Sequence, residues 1–186
     1  MRIVAGRFKG LQLTLLGKGD AAAHLRPTGD RVRENLFNIL MSHGLPGGAH
    51  VLDLFAGTGA LGLEALSRGA AHVTFIDNGA KAQALLRANI AKAKAKGETT
   101  LLHRDATRPG PAPGAPAALV FLDPPYGKGL GARALGAVAN DGWLAPGATV
   151  IWEEAAAQTP PAGFTLRDMR RYGAAHIHIL EYAHAT

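Results

Sequence analysis

The chain has 186 residues, 47% of them hydrophobic and 18% charged, which supplies enough apolar material for one buried core and too little length for two full domains. With no cysteine, disulfide scaffolds and thiol nucleophiles are excluded; with no run near the roughly 18 to 20 apolar residues of a spanning helix, and no signal-peptide pattern in Met1-Arg2-Ile3-Val4-Ala5-Gly6-Arg7, a cytoplasmic protein without a membrane partner is expected. The net charge of +6 is gathered at the front, where Arg2, Arg7, Lys9, Lys18, Arg26, Arg31 and Arg33 face only Asp20 and Asp30. A basic head on a nearly neutral body suits docking to phosphates, and suits a merely solubilising face equally well.

Arg2 to Ala5 and Leu11 to Leu15 alternate around the glycine-bounded Gly6-Arg7-Phe8-Lys9-Gly10, which predicts a β-hairpin. In Arg26-Pro27-Thr28-Gly29-Asp30 the proline fixes an extended approach, and Thr28 or Asp30 can cap a helix. Val32, Leu36, Ile39 and Leu40 then recur at helical spacing, which sets Arg31, Arg33 and Glu34 off the buried stripe. Val51 to Phe55, His72 to Asp77, Thr99 to His103, Ala118 to Leu122 and Thr149 to Glu153 read as strands, with helices near Ala60 to Ser67, Ala80 to Lys96 and Gly131 to Val138 between them. This alternation predicts a doubly wound, mainly parallel α/β sheet. Phe164 to Arg170 and His176 to Tyr182, joined tightly at Gly173, read as an antiparallel edge pair. Arg108 to Pro116 is a proline-rich loop without a packing pattern. His176 and His178 lack a third ligand at a recognisable spacing, so no metal is expected, and Trp143 and Trp152 are assigned to the core.

Asp53-Leu54-Phe55-Ala56-Gly57-Thr58-Gly59-Ala60-Leu61-Gly62 leaves the first strand and enters a helix, where glycines let the backbone approach a ligand or simply permit a tight turn. Gly57-x-Gly59-x-x-Gly62 with Asp77 further on also fits a dinucleotide fingerprint. Charge separates the two cofactors. Asp53 lies where a pyrophosphate would arrive and would repel it, whereas S-adenosylmethionine brings an ammonium and a sulfonium. Asp77 can accept hydrogen bonds from ribose hydroxyls and Asp105 from an adenine amine. The candidate cofactor residues are Asp53, Phe55, Ala56, Gly57, Thr58, Gly59, Asp77, Asn78, Asp105 and Ala106.

The fourth parallel strand runs into Asp123-Pro124-Pro125-Tyr126. Two prolines stiffen the turn, so the Asp123 carboxylate and the Pro124 carbonyl become fixed acceptors that can hold the hydrogens of an exocyclic base amine and aim its lone pair at a sulfonium methyl. Tyr126 offers a flat face for the base. No covalent nucleophile is required, and Asp123, Pro124, Pro125 and Tyr126 form the candidate catalytic set.

Taken together, Arg2-Ile3-Val4-Ala5-Gly6, Lys9-Gly10, Arg26-Pro27-Thr28-x-Asp30-Arg31-Val32-Arg33-Glu34, Leu36-Phe37-Asn38, the Asp53 to Ala65 block and Asp123-Pro124-Pro125-Tyr126 resemble the bacterial ribosomal RNA small subunit methyltransferase D family nearly end to end. The Arg-Pro-Thr block is the specific part, because the other two long blocks mark amino-methylating enzymes generally. The resemblance implies a Rossmann-like class I methyltransferase of seven strands, the last antiparallel, spanning residues 26–186, with a small basic N-terminal hairpin extension over residues 1–25. It implies methyl transfer from S-adenosylmethionine, leaving S-adenosylhomocysteine, to the N2 amine of a guanine in 16S ribosomal RNA within an assembling 30S subunit. Arg2, Arg7, Lys9, Arg26, Arg31 and Arg33 are the candidate RNA contacts, and a monomer is the simplest state. Ala117-Ala118 departs from the Phe-Asp that the family often carries. An adenine-N6 methyltransferase on DNA or RNA, and a non-catalytic nucleic-acid-binding assembly factor, remain as alternatives.

Overall fold

The computed structural model describes residues 1–15 and 29–183. Its elements in chain order are α1 (Asp30–Ser42), β1 (His50–Leu54), α2 (Ala60–Ser67), β2 (His72–Ile76), α3 (Ala80–Lys92), β3 (Thr99–Leu102), β4 (Ala117–Leu122), α4 (Leu130–Asn140), β5 (Leu144–Glu154), β6 (Phe164–Tyr172) and β7 (Ala175–Tyr182). The seven strands form one sheet in the order β3-β2-β1-β4-β5-β7-β6. β1 to β5 pair in parallel, and β7 runs antiparallel to both β5 and β6. The chain crosses from β3 to β4 over the first three strands, so the order reverses between β1 and β4, which is where an open α/β sheet leaves a crevice at the strands' carboxyl ends.

Burial on both faces explains the continuous apolar runs of the central strands. Val51, Val73, Phe75, Leu119, Phe121, Ile151, Ile177 and Ile179 point to the face covered by α1, α2 and α3. Phe37 of α1 meets Phe121 there, with ring centroids 5.6 Å apart. Leu52, Leu54, Ile76, Val120, Leu122, Val150, Trp152 and Leu180 point to the other face, where α4 contributes Ala134, Leu135 and Val138, and where Trp143 also lies. Among the described residues no helix covers that second face over the amino ends of β1 to β3. The proline-rich loop covers it instead, tied by Trp143 Nε1 donating to the Gly110 carbonyl at 2.7 Å and Arg104 Nη1 donating to the Pro109 carbonyl at 2.7 Å. A cavity of about 260 Å³ remains beneath it, lined in part by His50, His72, Thr74 and Thr100.

The N-terminal segment is a short hairpin: Arg2 bridges Gln12 in antiparallel fashion, Ile3 N donates to the Leu11 carbonyl at 3.0 Å, Gly10 N to the Ile3 carbonyl at 2.9 Å and Leu13 N to the Met1 carbonyl at 3.1 Å. The helices satisfy the rest of its backbone: Glu64 of α2 accepts from the Val4 and Ala5 N–H groups at 2.8 and 3.0 Å, Ser67 Oγ accepts from Phe8 N at 2.8 Å and donates to the Ala5 carbonyl at 2.6 Å, and Asn89 of α3 brackets Thr14. Gly6 adopts φ +79°, and a Cβ there would lie 1.9 Å from the Ser67 carbonyl oxygen, so glycine is required for the arm to seat. Arg33, expected off the stripe of α1, lies on it, with Leu36, Phe37 and Leu40 as buried neighbours. Its guanidinium is 1% exposed, donating to the Arg2 carbonyl and to Asp30 at 2.8 Å, which makes it a clasp between arm and helix.

The histidines of β7 are structural. His178 is fully buried; its Nε2 accepts from Gln158 N at 2.9 Å, which leaves Nδ1 to donate to the Trp152 carbonyl at 3.1 Å, and burial lowers its pKa so that the neutral ring these bonds require is favoured. Among the described residues no three His, Asp or Glu side chains cluster as metal ligands.

Candidate active site

The turn from β1 into α2 is bent by three residues in the left-handed region, Phe55 (φ 56°), Gly57 (φ 56°) and Gly59 (φ 77°). A phenylalanine is costly there, and the strain is held by surrounding bonds. Asp77, one residue past β2, accepts from Gly57 N at 2.9 Å through one carboxylate oxygen and from Gly79 N at 2.8 Å through the other. Asp53 accepts from Gly62 N at 2.9 Å, and Asn89 Nδ2 donates to the Thr58 carbonyl at 2.9 Å. Gly59 and Gly62 are packing glycines. A Cβ on Gly59 would meet Leu86 Cδ2 at 2.7 Å, and one on Gly62 would meet Phe75 Cε1 at 2.4 Å and Asp53 Oδ2 at 2.9 Å.

The acids at this rim differ in environment. Asp53 is 3% exposed; burial pushes its pKa up to about 8, the Gly62 N–H opposing and the charge of Asp77 adding. Asp105, beyond β3, accepts from the backbone N–H and hydroxyl of Thr107, both at 2.8 Å, and these bonds hold its pKa low. Ala106 is buried beside it. Asn78 is exposed, its carbonyl in contact with His103 Nε2 at 2.9 Å.

Asp123 follows β4 directly. Leu122 pairs with Trp152 of β5, so Asp123 and Glu153 leave adjacent strands side by side. Burial raises the Asp123 pKa well above the carboxylate range, and the charges acting on it, Glu153, Asp53 and Glu154 in that order, raise it further. Pro124 is buried, Pro125 exposed and Tyr126 half-buried. The Tyr126 hydroxyl donates to Glu153 Oε1 at 2.6 Å, and burial followed by that bond raises its pKa, so the phenol stays protonated. Glu154 is also raised by burial, against bonds from the Gly127 and Ala155 N–H groups.

The structure therefore gathers Asp53, Asp77, Asp105 and the Asp123 to Tyr126 turn at the carboxyl ends of four neighbouring strands. Asp53, Asp123, Glu153 and Glu154 crowd one rim and raise one another's cost of ionising, a cost that a cation bound among them lowers and a pyrophosphate would increase. Sequence reasoning missed Glu153 and Glu154, which looked like the end of a strand. Their signal was present, two adjacent acids closing an otherwise apolar strand. It missed Glu64 likewise, the lone charge in the apolar helix ALGLEALS.

The candidate RNA contacts scatter. Arg7 is exposed, reaches both Glu98 oxygens at 2.7 Å and lies 4.5 Å over the Phe8 ring. Arg2 lies 3.4 Å from Asp30, and Lys9 and Arg31 are exposed. Arg33 is buried as the clasp between arm and helix, which removes it from an outward phosphate contact. Arg26 lies outside the described residues.

A family model described as conserved hypothetical protein 95 matches residues 1–181. The chain is 38% identical over 169 residues to ribosomal RNA small subunit methyltransferase D of Escherichia coli strain K12, covering 89% of this chain and 82% of that protein. It is 36% identical over 158 residues to the protein of the same name from Haemophilus influenzae, covering 82% and 78%. A solved structure from Escherichia coli described as a methyltransferase superposes with a TM-score of 0.83 at 35% identity over 98% of both chains. The fold is that of the class I methyltransferases.

Proposed function

The chain belongs to the ribosomal RNA small subunit methyltransferase D family, and from that premise we propose that it methylates the N2 amine of a guanine in 16S ribosomal RNA, within an assembling 30S subunit, using S-adenosylmethionine. The observation that carries this reading is the stiff Asp123-Pro124-Pro125-Tyr126 turn, its phenol anchored on Glu153 at 2.6 Å, at a rim whose acids favour a cationic nucleoside.

The donor set fits that cofactor. Each Asp77 oxygen receives one backbone N–H and keeps a second lone pair for a ribose hydroxyl. Asp105 is held ionised by Thr107 and suits an adenine amine. Phe55, Ala56, Gly57, Thr58 and Gly59 supply the loop, with Asn78 and Ala106 flanking the two strand ends. When bound, S-adenosylmethionine supplies a methyl carbon made electrophilic by its sulfonium.

The remaining work falls to the protein's own groups. The Asp123 carboxylate and the Pro124 carbonyl accept the two hydrogens of the exocyclic amine, which localises its lone pair and fixes its direction. Pro125 stiffens the turn. Tyr126 stacks on the base, which offsets the cost of unstacking it elsewhere. Once alkylated, the nitrogen must lose a proton; positive charge bound at the rim favours the ionised form of Asp123, whose buried carboxylate is then basic enough to take it. Arg7 and Lys9 on the N-terminal arm, part of the 1–25 extension, are proposed to meet the RNA backbone together with Arg2, Arg26 and Arg31. A cytoplasmic monomer is the simplest setting; among the described residues no helix is long and apolar enough to cross a membrane.

Transfer of label from methyl-labelled cofactor to small subunits, followed by nucleoside digestion, tests the reading. N2-methylguanosine is expected. N6-methyladenine would replace the target base, and absence of any labelled nucleoside would leave a binding protein.

A further inference from the structure

We infer that the tip of the β6–β7 ribbon, Arg170 and Arg171, is a second docking surface for RNA phosphates beside the acceptor turn. The inference rests on the proposed RNA substrate and goes beyond it, because the charge pattern of the sequence points to the opposite end of the chain.

Strand register places the tip. Glu153 pairs with Ile177 of β7, and Ile177 pairs with Arg170 of β6; one step further, Glu154 pairs with His176 and His176 with Arg171. Because β6 runs parallel to β5, its last residues emerge at the same rim as Asp123 and Tyr126. At about 4.8 Å per strand, Arg170 stands roughly 10 Å from Glu153 and about 15 Å from the end of β4, the span of a few nucleotides. Side-chain alternation puts Arg170 on the same face of the sheet as Glu153 and Asp123, and Arg171 on the other, so the two guanidinium groups straddle the edge.

The chemistry of the strand is that of a contact surface. β6 closes the sheet, and residues 165–171 are exposed on both faces apart from half-buried Asp168. An edge needs charge to prevent pairing with other strands, but any charge serves that purpose, and lysine most often does. Here Arg167, Arg170 and Arg171 occupy the strand, and a planar guanidinium suits bidentate contact with a phosphate. Arg171 donates to the Gly173 carbonyl at 3.1 Å and has no carboxylate partner among the described residues. Arg170 pairs with Asp168 at 2.9 Å, both side chains more than 40% exposed, and such a pair is weak enough to exchange for a phosphate.

The test compares R170E/R171E with R167E, which reverses a charge on the same strand one turn of pairing away from the rim. Binding of the full chain to small subunits and to isolated 16S RNA is measured across a salt series, alongside cofactor binding by calorimetry and methyl transfer. The tip variant is expected to lose at least tenfold in affinity for both RNA forms, to lower the slope of log K against log salt by about 1.4, the value for two single-strand contacts, and to keep cofactor affinity and thermal stability; R167E is expected to change the slope by less than half as much. An unchanged slope, or an equal change in R167E, overturns the inference. Loss on subunits with none on free RNA also overturns it and assigns the tip to a protein of the particle. Failure of the wild type to methylate any nucleoside would instead strike the proposed function, and the binding series would still decide the role of the tip.

Discussion

Replacement of Tyr126 by Phe isolates one contact. It removes the hydroxyl that donates to Glu153 at 2.6 Å and leaves the ring that would stack on the base. A hydrogen bond to a charged acceptor contributes about 1.5 to 3 kcal/mol, and the half-exposed position of Tyr126 puts the effect at the low end, near 1.5 kcal/mol, or about tenfold in the rate of methyl transfer. Glu153→Gln keeps an acceptor and deletes its charge; since charge roughly doubles the strength of such a bond, about half the effect is lost, a three- to fourfold slowing. Because both substitutions act on one contact and Y126F abolishes it outright, the double variant should be no slower than Y126F. Single-turnover rates at saturating cofactor and RNA, with each variant's urea midpoint as the control for folding, measure the cycle. A second signature separates orientation from bulk stability. The negative charge of Glu153 helps raise the Asp123 pKa, so E153Q should move the acid limb of the pH–rate profile to lower pH. Y126F at the wild-type rate, or effects that multiply in the double variant, would refute the argument that Glu153 aims the ring.

Asp53 predicts a pH dependence of stability. Its folded pKa of about 8 lies above the ordinary 3.8, so the folded state holds the extra proton and stability is lost as pH rises from about 4 to about 8, by up to about 1.4 kcal/mol per pH unit. D53N keeps an acceptor for Gly62 and should lack this slope, with urea midpoints close to wild type at pH 4 and clearly higher at pH 8; parallel curves would contradict the assignment. Glu64→Ala should cost about 3 to 5 kcal/mol in urea unfolding, because it strands the Val4 and Ala5 N–H groups and a buried Arg68 guanidinium whose Nε donates to Glu64 at 2.8 Å; a wild-type midpoint would show that the arm is held by other contacts. Gly62→Ala should cost about 1 to 3 kcal/mol by crowding Phe75, Val73 and Asp53, and an unchanged midpoint would show that the helix can shift to admit a methyl group.

The regular part of this molecule was legible because apolar runs bounded by glycine report strands buried on two faces. All seven strands lie where alternation placed them, although β5 begins at Leu144 rather than Thr149, since pairing with Ala117 extends it past a bulge. The place of the Asp123 to Tyr126 turn was legible because proline and a terminal carboxylate constrain the backbone as it leaves a strand. Tertiary polar contacts were not. Helical spacing scores Arg33 as polar and turns it outward, yet the Arg2 carbonyl and Asp30 satisfy it inside. The N-terminal alternation reads as a hairpin and cross-strand bonds do join Met1 and Ile3 to residues 10–13, but the pattern does not say that helices will accept the remaining N–H groups; here Glu64, Ser67 and Asn89 do. Glu153 carries no local mark of its tie to a tyrosine 27 residues earlier. The left-handed Phe55 defies local preference altogether, as strained positions at ligand loops commonly do.

The proline-rich span over the amino ends of β1 to β3 offers a handle. It stands at the rim opposite Asp123, and at Gly114 an added side chain would meet nothing within 4 Å. The natural chain contains no cysteine, so Gly114→Cys would create a unique thiol. A fluorophore attached there would ride on the rim opposite the Asp123 turn and report on binding to the small subunits of the proposed assay without occupying the Asp53 to Gly59 crevice, the N-terminal arm or the arginine tip.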